Sequence, residues 1–163
     1  MIRPFAEADI AAIAAIYSHH VLTGTATFEE VPPDVDEMRS RLCDLTDSGF
    51  PVLVACSPSD EVVGYAYAGP YKTRSAYRFT VEDSIYIHHD YLRRGAGRAL
   101  LSALIDKCKD RDYKQVLAVI GDSDNQGSIG LHRSCGFVPV GTACNLGFKF
   151  GRWLDVVYMQ RSL

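Results

Sequence analysis

Residues 93–98 read Arg93-Arg94-Gly95-Ala96-Gly97-Arg98 and constrain the fold of this chain more than any other segment. They lie between a strand-like run ending at Ile87 and a long amphipathic stretch whose Leu100, Leu101, Leu104, Ile105 and Cys108 recur at helical spacing. A strand that turns through glycines directly into a helix leaves successive backbone N–H groups unblocked by side chains. The helix N-terminus adds about half a positive charge. With three arginines beside it, such a turn suits a phosphate, and a pyrophosphate best. It is not a P-loop, because Arg98-Ala99 stands where Gly-Lys-Ser/Thr needs its last residues. A dinucleotide fingerprint starting at Gly95 fails as well, since Leu100 occupies the last small position. A tight turn with solvated arginines is the ordinary alternative.

The rest of the chain supplies alternating elements. Ile2 to Phe5 is a short strand, and Asp9 is placed to cap a helix carrying Ile10, Ile13, Ile16, Tyr17 and Val21. Residues 23–33 form a loop. Asp34, with Glu37 three residues on, opens a second helix through Met38, Leu42 and Leu45 that stops near Gly49. Strands over Pro51–Cys56 and Val62–Ala68 flank Ser57-Pro58-Ser59-Asp60, a hairpin signal. A loop over 69–78 leads to a strand from Phe79 to Ile87, and a helix follows from Ala96 to Arg111. Val116–Ile120 reads as a strand buried on both faces, and a helix over Gln126–Ser134 ends at Gly136. Two last strands, 137–145 and 154–161, flank a loop around Gly147–Trp153. Residues 1–163 thus read as one α/β (α+β) domain, with a mixed sheet of roughly six or seven strands.

Composition excludes several classes. The net charge is −3, from 17 Lys+Arg against 20 Asp+Glu, which disfavours a general nucleic-acid binder. The longest apolar run, Ile10–Tyr17, has eight residues, too short to span a bilayer, and Glu7 and Asp9 argue against a secretory leader. Five cysteines without a Cys-x-x-Cys pair suit a reduced, cytoplasmic protein. No metal is expected.

Three further features carry chemistry. The period of two places Glu82, Ser84 and Tyr86 on one face of their strand and Asp83, Ile85 and Ile87 on the other. Glu82 could stand beside the reactive end of a bound phosphate ligand, or simply be a solvated strand end. Asn125 precedes the helix that carries His132, a residue type that is usually structural on an amphipathic helix. Cys135, three residues after His132, has no orienting third group of the kind a nucleophile needs.

Together these segments resemble the GCN5-related N-acetyltransferase (GNAT) superfamily. Residues 63–87, Ala118-Val119-Ile120-Gly121 and Gly147-Phe148-Lys149-Phe150-Gly151-Arg152-Trp153-Leu154-Asp155-Val156 resemble its phosphinothricin and methionine sulfoximine acetyltransferase branch. The resemblance implies a mostly antiparallel sheet flanked by about four helices, with acetyl-CoA as co-substrate. Its thioester would lie against Ile85, Tyr86 and Ile87, its pyrophosphate on Arg93, Arg94, Gly95, Ala96, Gly97 and Arg98, and its pantetheine arm by Asn125. Glu82 would be the general base and His132 an acid or orienting group, in direct transfer without an acyl-enzyme. Phe28, Arg74 and Tyr77 would shape the pocket for a small-molecule amine, such as an α-amino acid with a tetrahedral polar tail. Lys72, Arg74 and Arg78 crowd the loop before Glu82, either as an ordinary solvated basic loop or as a clamp for the acceptor's carboxylate. A homodimer is implied too. One departure stands out: the family's loop usually starts with Gln or Arg, and here that position is Leu92. Acetylation of another amine, such as a protein N-terminus or a polyamine, and a non-catalytic acyl-CoA-binding module remain open alternatives.

Overall fold

The computed structural model describes residues 1–163. Seven strands form one sheet: β1 (Ile2–Pro4), β2 (Val52–Cys56), β3 (Val62–Pro70), β4 (Thr80–Ile87), β5 (Gln115–Gly121), β6 (Val138–Lys149) and β7 (Arg152–Ser162). Their spatial order is β1-β2-β3-β4-β5-β7-β6, and every neighbouring pair is antiparallel except β4 with β5. Four helices cover it: α1 (Ile10–Thr23), α2 (Val35–Asp47), α3 (Ala96–Lys109) and α4 (Gln126–Ser134). The expected mixed, mostly antiparallel architecture is therefore the one observed.

Strand periodicity divides the core in two. Val52, Val54, Tyr65 and their neighbours pack under α1 and α2 with Ile13, Ile16, Met38 and Leu42. Leu53, Ala55, Ala66 and Val81 turn to the other face and pack under α3 and α4 with Leu101, Leu104, Ile129 and Phe137. All five residues of β2 are buried, as a strand covered on both faces must be.

Local signals hold with three corrections. Asp34 caps α2 by accepting the Glu37 N–H at 2.8 Å, but the Glu37 carboxylate reaches forward to Arg41 rather than back to the cap. Asp9 does not cap α1. A single 3₁₀ turn, Glu7–Asp9, runs straight into that helix, so the Asp9 carboxylate instead accepts the Ala6 N–H at 2.8 Å and the Arg3 guanidinium at 2.7 Å. The third correction concerns 147–153, which is not a loop. β6 and β7 continue to Lys149 and from Arg152, joined by a two-residue turn with φ of 52° at Phe150 and 72° at Gly151. Positive φ at both central residues is the primed hairpin geometry that matches strand twist.

No helix is long and apolar enough to cross a membrane. All five cysteines are free.

Candidate active site

The single parallel pair creates the site. β4 and β5 pair only from Thr80 with Gln115 to Asp83 with Ala118, and then they part. β4 continues on β3 as far as Ile87 with Gly64, and the His88 N–H bonds the Val63 carbonyl at 2.9 Å. Amides alternate sides along an antiparallel strand, so Ile85 and Ile87 turn theirs toward the gap that β5 has left. Those two N–H groups have no strand partner there. On the far side of the gap β5 remains paired with β7 through Gly121, so the wedge is held open by sheet on both flanks.

The wedge is the mouth of a cleft of about 760 Å³. Its walls include Ile85, Tyr86, Ile87, Arg93, Gly95, Gly97, Arg98, Asn125 and His132, so most of the sequence-derived binding residues converge on one cavity. Arg94 and Ala96 do not line it. The Arg94 guanidinium lies 5.2 Å over the Tyr91 ring instead. Gly95 takes φ of 84° at the start of α3, a left-handed conformation that glycine adopts at no steric cost. Arg93 adopts φ of 58°, strained for a side chain with a Cβ. At Gly97 an added Cβ would press on the Leu131 side chain at 3.3 Å, so α3 approaches α4 closely here. The first N–H groups of α3 have no intrahelical acceptor and face the same turn. Gly-lined backbone, free N–H groups and two arginines suit a pyrophosphate. Asn125 spends its side-chain oxygen on the Ser128 N–H at 3.2 Å and its amide on the Gly121 carbonyl at 3.4 Å, which fixes the head of α4 against the cleft.

Glu82 lies just before the point of divergence, half-buried, and faces the α1/α2 side with Ser84 and Tyr86. Burial raises its carboxyl above the ordinary carboxylate range, and the neighbouring Asp83 adds to that. Such a group accepts a proton more readily near neutral pH. His132 is 2 % exposed and lies beside the opposite face of β4. Its Nε2 is 3.0 Å from Asp83 Oδ2 and its Nδ1 is 2.8 Å from the Ser128 carbonyl. Cys135 is buried in the apolar core, and the polar contacts of its thiol are the hydroxyls of Ser102 and Ser134, at 4.0 and 3.9 Å.

The residues expected around an acceptor lie outside the main cleft. Lys72 and Arg74 are exposed, with the Lys72 ammonium 5.8 Å from the Tyr77 ring and 5.2 Å from the Tyr71 ring. Phe28 lies against the backbone of Gly121 and Gly147, where any Cβ would collide with its ring. That seat is secured by Lys149, 2 % exposed, whose ammonium donates to the Gly24 and Thr27 carbonyls at 2.9 and 2.8 Å. Thr25 adds a bond to Asp122 at 3.0 Å. The 23–33 loop is thereby pinned as a wall of the cleft through Gly24, Thr25 and Ala26.

Two participants escaped sequence reasoning. Asp83 was only the partner-face neighbour of Glu82. His20, from the last turn of α1, reaches the Ile87 carbonyl with Nε2 at 2.9 Å. Burial lowers its pKa, so it is a neutral donor at pH 7. Period and spacing could have placed both on inward faces, but not beside their partners. His88, His89 and Asp90 bring potential metal donors within 4.8 Å of one another. The two imidazoles are stacked at 4.3 Å, however, so their in-plane lone pairs run side by side rather than converging.

Comparison with known proteins shows the family and the fold. The sequence model of the Acetyltransferase (GNAT) family matches residues 13–137. The chain belongs to that family. It is 53 % identical to the phosphinothricin N-acetyltransferase of Alcaligenes faecalis over 162 residues, covering 99 % of this chain and 82 % of that protein. It is 39 % identical to an L-methionine sulfoximine/L-methionine sulfone acetyltransferase of Pseudomonas aeruginosa, covering 99 % and 94 %. The crystal structure of a phosphinothricin acetyltransferase from Sinorhizobium meliloti in complex with AcCoA superposes with a TM-score of 0.97 at 44 % identity, covering all of this chain and 88 % of that one.

Proposed function

We propose that this GNAT acetyltransferase transfers acetyl from acetyl-CoA to the α-amine of a small amino acid bearing a tetrahedral polar tail, of the phosphinothricin or methionine sulfoximine type. The observation that carries the reading is the β4–β5 wedge. It presents two unpaired amides, Ile85 and Ile87, within a few residues of a half-buried carboxylate at one end and a phosphate-suited turn at the other. The named relatives support the acceptor class.

The division of labour follows from position. Arg93, Gly95, Gly97, Arg98 and the head of α3 hold the pyrophosphate, and Asn125 keeps α4 in place beside the pantetheine arm. The Ile85 and Ile87 amides are fixed dipoles aimed at the carbonyl oxygen, where negative charge grows as the amine attacks. Glu82 removes the proton that makes the α-amine an unreactive ammonium at neutral pH. His132, at the apex of the wedge, supplies a proton to the departing sulfur. Arg74 and Lys72 offer charge-assisted bonds to the acceptor's carboxylate, and Phe28 and Tyr77 give the pocket its apolar walls. Transfer is direct, because Cys135 is buried and no thiol lines the cleft.

The protein acts in the cytoplasm as a homodimer. Free cysteines fit the first statement. For the second, β6 is an open edge of the sheet with Val138, Val140, Leu146 and Phe148 exposed, and Trp153 of β7 beside Phe148.

The deciding experiment is a panel of amines at fixed acetyl-CoA, read by thiol release, with mass spectrometry of the products. Phosphinothricin, methionine sulfoximine and methionine sulfone should lead the panel. Faster acetylation of polyamines or of peptide N-termini would refute the acceptor class. Binding of acetyl-CoA with no transfer to any amine would refute the enzyme reading.

A further inference from the structure

Asp83 is the last residue of β4 to pair with β5, so its side chain stands where the two strands separate. The side chain is 1 % exposed and that of His132 is 3 % exposed, yet both line the cleft. The ring is oriented by four contacts, one of them the Ser128 hydroxyl 3.3 Å from Nδ1. Nδ1 meets the Ser128 carbonyl at 2.8 Å, Nε2 meets Asp83 Oδ2 at 3.0 Å, and Phe137 packs edge-on at 5.0 Å.

These partners restrict where protons can be. A carbonyl oxygen only accepts, so Nδ1 must carry a hydrogen. One further proton then lies between Nε2 and Oδ2, and with Asp83 ionised the ring is an imidazolium. The second carboxylate oxygen, Asp83 Oδ1, is buried without any partner. Apart from His132, nothing bonded to this carboxylate compensates its burial, and loss of either member strands the other.

We infer that Asp83 is a positioning residue that keeps His132 charged and aimed at the apex of the wedge, so that the proton between them is the one supplied to the leaving sulfur. This rests on the acetyl-transfer reading above. When the C–S bond breaks, the electron pair goes to sulfur and the shared proton follows. His132 is left neutral with its Nδ1–H still on Ser128, and Asp83 stays a carboxylate. The proton that Glu82 took from the amine restores the pair through solvent, so charge balances over one turnover.

The surroundings suit this role. Burial works against a charged ring, but the bond and charge of Asp83 and the Ser128 carbonyl raise the His132 pKa above its ordinary value. Other titratable groups that feel the Asp83 charge are Glu82 on β4 and the Cys108 thiol on α3, the latter pushed up to about 12 by burial and by Asp83. Across the pair β5 contributes only apolar side chains, Val116, Ala118 and Ile120, to the buried core.

The test combines an NMR titration of the His132 ring nitrogens with kcat measured against pH, in the native chain and in Asp83→Asn. Removing the carboxylate should lower the His132 midpoint by about 1–3 pH units. The alkaline limb of kcat should move with it, while the KM for acetyl-CoA stays unchanged. An unmoved His132 midpoint overturns the pairing. A midpoint that falls while the kcat limb stays in place overturns its role in turnover. Should Asp83→Asn not fold, Asp83→Glu must keep the raised midpoint and Asp83→Ser must lose it. If the native chain acetylates no amine, the functional reading fails, whereas the titration still decides the pairing.

Discussion

Glu82→Gln separates the chemistry from the fold more cleanly than any other change. Gln keeps the shape of the side chain and removes only its ability to take a proton. General-base assistance contributes about 10²- to 10⁴-fold, which corresponds to about 2.7–5.4 kcal/mol of barrier. Turnover should fall by that range, with acetyl-CoA binding unchanged, because Glu82 does not line the cleft that holds the nucleotide. The pH dependence is distinctive. The carboxyl is raised by burial and by Asp83, so the acid limb of kcat for the native chain should lie above the ordinary 4.5 of a glutamate and should vanish in the variant. Stability should move the other way. A carboxylate whose pKa is raised on folding destabilises the native state at every pH above that raised value, so Glu82→Gln should raise the melting temperature at pH 7 and leave it nearly unchanged at pH 4. Thiol-release kinetics from pH 5 to 9 and thermal melts at two pH values suffice. Wild-type turnover, or an acid limb that survives the substitution, would refute the reasoning.

The remaining predictions concern binding and packing. Leu92→Arg restores a guanidinium beside the pyrophosphate turn and should lower the KM for acetyl-CoA with kcat unchanged; an unchanged KM would mean that Arg93 and Arg98 already saturate the site. Arg74→Ala should raise the KM for an amino-acid acceptor about 10- to 100-fold, the worth of a charged hydrogen bond, and leave acetyl-CoA KM alone. Gly147→Ala should cost about 1–3 kcal/mol of stability in denaturant unfolding, because the Phe28 ring fills the space of its Cβ. In a Phe28→Ala background that penalty should disappear, and additive losses would show that the two residues do not meet.

Much of this fold was legible because its signals are local. Asp34 caps α2, Gly136 follows α4 with φ of 84°, and the 2-period of β4 sorts Glu82 from Asp83. Two misses have separate causes. Phe150 is an improbable residue for a left-handed turn, but a long β6–β7 ladder, pinned by Phe148 opposite Trp153 and Lys149 opposite Arg152, imposes that conformation. Asp9 does not cap α1 because the 3₁₀ turn Glu7–Asp9 runs straight into that helix, which leaves its carboxylate to the Ala6 N–H and Arg3.

The sequence by itself determined the order of elements and the character of the 93–98 turn, since glycines and arginines act through their own backbone freedom and charge. It also singled out Glu82, Asn125 and His132. Only the tertiary structure decided what those residues meet. The β4–β5 wedge exists because two strands 35 residues apart pair at Thr80 with Gln115 and then diverge, and no local propensity encodes where a ladder stops. The Asp83–His132 pair, 49 residues apart in sequence, and the seat of Phe28 on Gly121 and Gly147 depend on the same long-range packing. Burial then sets their chemistry: a carboxylate and an imidazole that would be ordinary in water become a coupled pair once the sheet and α4 exclude the solvent.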